Sequence, residues 1–102
     1  MEVIITKQEN EVTAQLRGRL DTPASQDIAN DVETLVGAAG GTIILDCTEL
    51  EYISSSGLRI FLTLRKAAAE KGGKVIVRNI TPAIRSVFMM TGFLNLFEVR
   101  NG

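Results

Sequence analysis

Three consecutive serines and a glycine, Ser54-Ser55-Ser56-Gly57, are the residues of this chain best placed to do chemistry. They lie between an apolar strand pattern and a strongly apolar helix pattern, so three hydroxyls crowd a helix entrance. The first N–H groups of a helix lack intrahelical partners, and the helix dipole favours negative charge there. Such a turn can cap its helix, hold an anion on backbone N–H groups, or carry a covalently attached phosphate. A phosphate would add about −1.5 to −2 charge and three acceptor oxygens at a place whose dipole tolerates it. The domain would stay folded while its surface changed sign, and a partner docked there would be repelled. On the residues alone, cap and switch both stand.

Other chemistry is poorly supported. A serine nucleophile needs a base near neutral pKa, and the chain has no histidine. The lysines Lys7, Lys66, Lys71 and Lys74 show no motif tying them to the turn, and the Gly-x-Ser-x-Gly elbow is absent. Neither a catalytic role nor a metal or other cofactor is expected: there is one cysteine, Cys47, and no carboxylate cluster at ligand spacing. Gly37-Ala38-Ala39-Gly40-Gly41 leads into a strand rather than a helix, the wrong context for a phosphate cradle. Eleven basic and twelve acidic residues leave a net charge of −1, which argues against nucleic acid as a partner. No apolar run approaches the ~20 residues needed to span a bilayer. The N-terminus lacks the basic start and cleavage site of a signal peptide. A cytoplasmic protein without membrane insertion is the expectation, and the unpaired Cys47 suits a reducing compartment.

The elements that must position the turn follow from periodicity. With 102 residues the chain is read as a single domain, 1–102. Residues 2–7 and 11–17 predict two strands joined at Gln8-Glu9-Asn10, the second with Val12, Ala14 and Leu16 on one face and Thr13, Gln15 and Arg17 on the other. Gly18 to Pro23 breaks the pattern. Thr22 is expected to cap a helix with Pro23 at its first position, and Ala24, Ile28, Val32, Leu35 and Val36 follow at helical spacing. A strand is expected over 42–46, a connection over 49–53, and a helix from Gly57 to Lys71-Gly72-Gly73. A strand over 74–78, a helix opened by Thr81-Pro82 and closed by Gly92, and a strand over 96–99 complete the order ββαβαβαβ. This is an α/β chain. Right-handed crossovers adding strands to one side would place the helices mainly on one face of an open sheet. The serine turn would then lie at the carboxyl edge of the strands, where ligands of such sheets sit.

Four stretches, in order, resemble a known family: Gly18-Arg19-Leu20-Asp21, Ile53-Ser54-Ser55-Ser56-Gly57-Leu58, Ile80-Thr81-Pro82-Ala83-Ile84 and Met90-Thr91-Gly92-Phe93. Together they look like a STAS-domain anti-sigma-factor antagonist, or anti-anti-sigma factor. The resemblance implies the STAS fold, a mixed open sheet, and a partner-switching role in transcription regulation. The unphosphorylated antagonist would bind an anti-sigma factor that is also a serine kinase of the histidine-kinase-like ATPase type, freeing the sigma factor. Phosphorylation from Mg-ATP would release it, and a serine phosphatase would reset it. The family's Asp-Ser-Ser/Thr-Gly pattern puts the acceptor at Ser55, with Ser54 the alternative and Ser56 the expected cap. Ser54 stands where the family usually has aspartate, and Arg59 where a second glycine is common. Asp21, Ser54, Ser55, Ser56, Gly57 and Arg59 are the implied partner-binding residues, with Asp21 and Asp46 near the loop at strand ends. A monomer or weak dimer is expected. The alternative is a non-phosphorylated STAS binding subunit of a lipid-transport, sensory or other regulatory complex.

Overall fold

The computed structural model describes residues 1–102. Its sheet is organised around one long strand, β2 (Glu11–Leu20). Val12, Ala14 and Leu16 are buried while Gln15 and Arg17 are exposed, as the alternation predicts. β1 (Glu2–Gln8) pairs with β2 antiparallel through the turn at Glu9-Asn10, where Glu9 takes φ 41°. On the other flank β3 (Thr42–Asp46), β5 (Lys74–Arg78) and β6 (Glu98–Arg100) add in parallel, giving the order β1-β2-β3-β5-β6. Strands added successively to one side force their crossover helices onto one face. One apolar cluster fills the space between sheet and helices, with Ile43, Leu45, Phe61, Leu64, Val77, Ile84 and Phe88 among its most buried members.

The opposite face is polar at its margins. Arg17 pairs there with Glu2 at 3.4 Å and Glu49 at 2.7 Å, and Arg78 with Asp46 at 3.2 Å. Register places Thr13, Ile44 and Ile76 in one row across it.

The structure departs from the periodicity reading at five places. Strand β2 does not stop at Arg17: Gly18, at φ +105°, takes a register shift, and the strand runs on to Leu20 beside β4 (Leu50–Ile53). Residues 50–53 escaped detection as a strand because Leu50 and Ile53 are buried while Glu51 and Tyr52 are both exposed. That pattern does not alternate. The first helix is two, α1 (Thr22–Asp27) and α2 (Ala29–Gly37), broken at Ile28, whose φ −95° and ψ 14° leave the helical region. Asp21, not Thr22, caps α1: its carboxylate accepts the Ala24 N–H at 3.0 Å, which puts Pro23 one residue further in. Finally, a short helix α5 (Phe93–Leu96) follows α4 (Pro82–Thr91) and shortens the last strand to residues 98–100. The cause is aromatic packing. Phe93 and Phe97 are both buried, 5.3 Å apart at the ring centroids, and join Phe61 and Phe88. Thr81 caps α4 as expected, its hydroxyl accepting the Ile84 N–H.

Candidate functional site

The serine turn is built where two strands end together. Leu20 of β2 lies opposite Ile53 of β4, and the Ser54 N–H donates to the Leu20 carbonyl at 2.9 Å. The chain then enters α3 (Ser55–Lys71), the longest helix, ended by Gly72 in the left-handed region. The turn therefore sits at the carboxyl edge of β2 and β4.

Its three hydroxyls have different environments. Ser54 is the N-cap: with φ −87° and ψ 172°, its Oγ accepts the Gly57 N–H at 3.2 Å and its carbonyl accepts the Leu58 N–H at 2.9 Å. This corrects the assignment of the cap to Ser56. Ser56 sits inside the first turn, and its Oγ lies 3.4 Å from Thr22 Oγ1, joining the start of α3 to the start of α1. Ser55 is the first helical residue; its side chain is exposed and its hydroxyl makes no hydrogen bond. Local sequence explains the difference, because only the residue with extended backbone at the helix boundary can turn its oxygen back onto the first-turn N–H groups.

Gly57 is buried beneath this turn. A Cβ added there would lie 2.8 Å from both Leu20 Cγ and Ile53 Cγ1, so a side chain would lift the first turn of α3 off the strands. Asp21 follows Leu20 directly and caps the helix whose first residue, Thr22, reaches Ser56. The structure thus brings Asp21, Ser54, Ser55, Ser56 and Gly57 to one corner. Arg59 is exposed one helical turn beyond Ser55 and takes part in no ion pair.

Asp46 does not belong to this corner. It pairs in register with Gln15, five residues before Leu20 on β2, or about 16 Å along the strand. Its carboxylate accepts the Thr48 N–H at 3.0 Å and the Thr48 hydroxyl at 2.6 Å, and pairs with Arg78. Partial burial alone would raise its pKa, but the Thr48 hydrogen bonds and then Arg78 outweigh it and hold the carboxyl below its ordinary value. Strand-end position alone misplaced it, because β3 ends well short of where β2 ends. Cys47 beside it is fully buried, and burial, with a smaller contribution from Asp46, pushes its thiol up to about 12.

Sequence reasoning missed two neighbours of the turn. Arg19 stands opposite Tyr52, and its guanidinium lies 4.4 Å from the centroid of that exposed ring. Thr22 supplies the bridge to Ser56. Arg19 was visible in the sequence, but pairing it with Tyr52 requires β4, which has no alternating signature. Met89 and Met90 of α4 are also exposed. No group of three or more histidine, cysteine, aspartate or glutamate side chains is placed to hold a metal ion. No helix is long and apolar enough to cross a membrane.

Comparison with known proteins agrees with this fold. The candidate anti-sigma factor antagonist BtrV of Bordetella bronchiseptica is 29% identical over 99% of this chain and 87% of its own length. The anti-sigma-B factor antagonist of Listeria monocytogenes is 21% identical over 82% of this chain and 74% of its own. Among solved structures, the anti-sigma factor antagonist SpoIIAA in its unphosphorylated form superposes with a TM-score of 0.71 at 27% identity, covering 87% of this chain and 83% of that one. A Thermotoga maritima protein matches the fold more tightly, with a TM-score of 0.87 over 98% of this chain and 86% of its own, at 15% identity. The model of the STAS domain matches residues 2–102, and the chain belongs to the STAS domain family.

Proposed function

We propose that this STAS domain is an anti-sigma factor antagonist switched by phosphorylation of Ser55. In the unphosphorylated state it binds an anti-sigma factor that is also a serine kinase, and so frees the sigma factor. The observation that carries the reading is the inequality of the hydroxyls: Ser54 Oγ is engaged by the Gly57 N–H and Ser56 Oγ faces Thr22, while Ser55 Oγ is exposed and unengaged. An acceptor hydroxyl must reach the γ-phosphorus of a nucleotide held by another protein, and exposure at a rigid helix start permits that. In the transfer the Ser55 oxygen bonds to the γ-phosphorus of ATP, the bond to ADP breaks, and the hydroxyl proton leaves to a base of the kinase. The similarity to named anti-sigma factor antagonists over nearly the whole chain supports the partner class. A serine phosphatase would restore the binding state.

Ser54 in place of the family's usual aspartate fits the same reading. Serine and aspartate are about equally good N-caps, so the exchange keeps the cap and removes a fixed charge beside the acceptor. The experiment is to incubate the protein with the cognate kinase and Mg-ATP and to map the phosphate by mass spectrometry. Labelling of the Ser55→Ala variant to the same extent as the parent would exclude the site.

A further inference from the structure

We propose that Arg59 captures the phosphate once Ser55 is phosphorylated, forming an ion pair within the first turns of α3 that belongs to the released state. The inference rests on the Ser55 reading above and adds its charge partner. Ser55 and Arg59 are four residues apart on one continuous helix, and both side chains are exposed. Residues at that spacing are neighbours on a helix face, and the anion-first order is the more favourable one.

Arg59 has no competing partner. The residues three and four positions from it along α3 are Ser55, Ser56, Leu62 and Thr63, none of them acidic, and it makes no ion pair elsewhere. Thr63 Oγ1 donates back to the Arg59 carbonyl, and Ser56 Oγ faces Thr22. Ser55 is thus the one unengaged hydroxyl at helical spacing from Arg59, and a phosphate on it becomes the nearest anion on the helix. The other cation close to the turn, Arg19, is held over the Tyr52 ring. A phosphoserine oxygen offers the guanidinium the acceptor geometry that suits it best. In the bare protein the same guanidinium faces solvent and is available to a partner carboxylate, so phosphorylation withdraws an attractive group while adding a repulsive one.

The test does not need the kinase. The full chain is made with phosphoserine installed at position 55 during synthesis, and the second ionisation of the phosphate is followed by phosphorus NMR. Against Arg59→Gln, the parent phosphate should ionise lower by a few tenths of a pH unit at low salt, with the difference fading in 1 M salt. Arg59→Lys should keep part of the shift, and Lys66→Gln, on the same helix, should not reproduce the loss. Equal phosphate pKa values in parent and Arg59→Gln, or an equal effect of Lys66→Gln, would overturn the pairing. Failure of the kinase to label Ser55 would instead sink the functional reading and leave this titration untouched.

Discussion

Replacing each serine of the turn by alanine separates their roles, and the structure sets the size of each effect. Ser54→Ala removes the oxygen that accepts the Gly57 N–H at 3.2 Å, leaving that donor to water at a part-buried helix start. Loss of a serine N-cap costs about 1 kcal/mol, within a range of roughly 0.5–2. For a domain of this size that lowers the melting temperature by about 4–8 °C. Ser55→Ala removes an unengaged hydroxyl from an exposed first-turn position and substitutes a better helix former, so its effect should stay within about 0.5 kcal/mol. Ser56→Ala loses only the 3.4 Å contact with Thr22, an exposed pair, and should also stay within about 0.5 kcal/mol. Ser54→Asp should be nearly neutral, because aspartate caps as well and gains from the dipole. Urea unfolding at neutral pH, with a common slope across the series, measures all four. A Ser56→Ala variant less stable than Ser54→Ala would refute the cap assignment and the division of labour among the hydroxyls that follows from it.

Other consequences are equally specific. Gly57→Ala gains up to about 1 kcal/mol of helix propensity but forces contacts of 2.8 Å on Leu20 and Ile53, where overpacking costs about 1–3 kcal/mol; unfolding should show a net loss. A more stable Gly57→Ala protein would mean that the first turn of α3 does not rest on the strands. The depressed pKa of Asp46 means that it stabilises the fold above the ordinary carboxylate range, and that this is lost as pH falls through its lowered folded value. Asp46→Asn should therefore be destabilising by about 1 kcal/mol near pH 7, with the difference narrowing in acid; a pH-independent difference would contradict stabilisation of the carboxylate by the Thr48 hydrogen bonds and Arg78. With its thiol pushed up to about 12, Cys47 should resist alkylation at pH 8 in the folded protein and react at once in denaturant. Rapid alkylation of the native chain would show that the junction after β3 is open.

The turn was legible in the sequence because its signal is local: hydroxyls and a glycine between two patterned elements. The mixed sheet and the capped starts of α3 and α4 follow from the same local signals, whereas the far face is polar only at its margins, because Ile44 and Ile76 in its middle are buried. What was not legible depends on contacts distant in sequence. Strand β4 exists because Leu20 and Ile53 meet, and nothing in Leu50-Glu51-Tyr52-Ile53 alternates. Which serine caps the helix depends on where the strand pairing stops, one residue before Ser54. The break at Ile28 and the short helix at Phe93 reflect packing of buried side chains, which override a continuous helical or strand pattern. Asp46 shows the converse error: a strand-end acid that looked close to the turn lies beside Gln15 instead.

The central claim is that Ser55 is the switch, and binding to the cognate anti-sigma kinase tests it most directly. Titration calorimetry with the unmodified protein should show a complex. The same titration with phosphoserine at position 55 should lose it by at least two orders of magnitude, because a charge of about −1.5 to −2 placed in the interface must be desolvated against its partner. Equal affinity of the two forms would contradict the account.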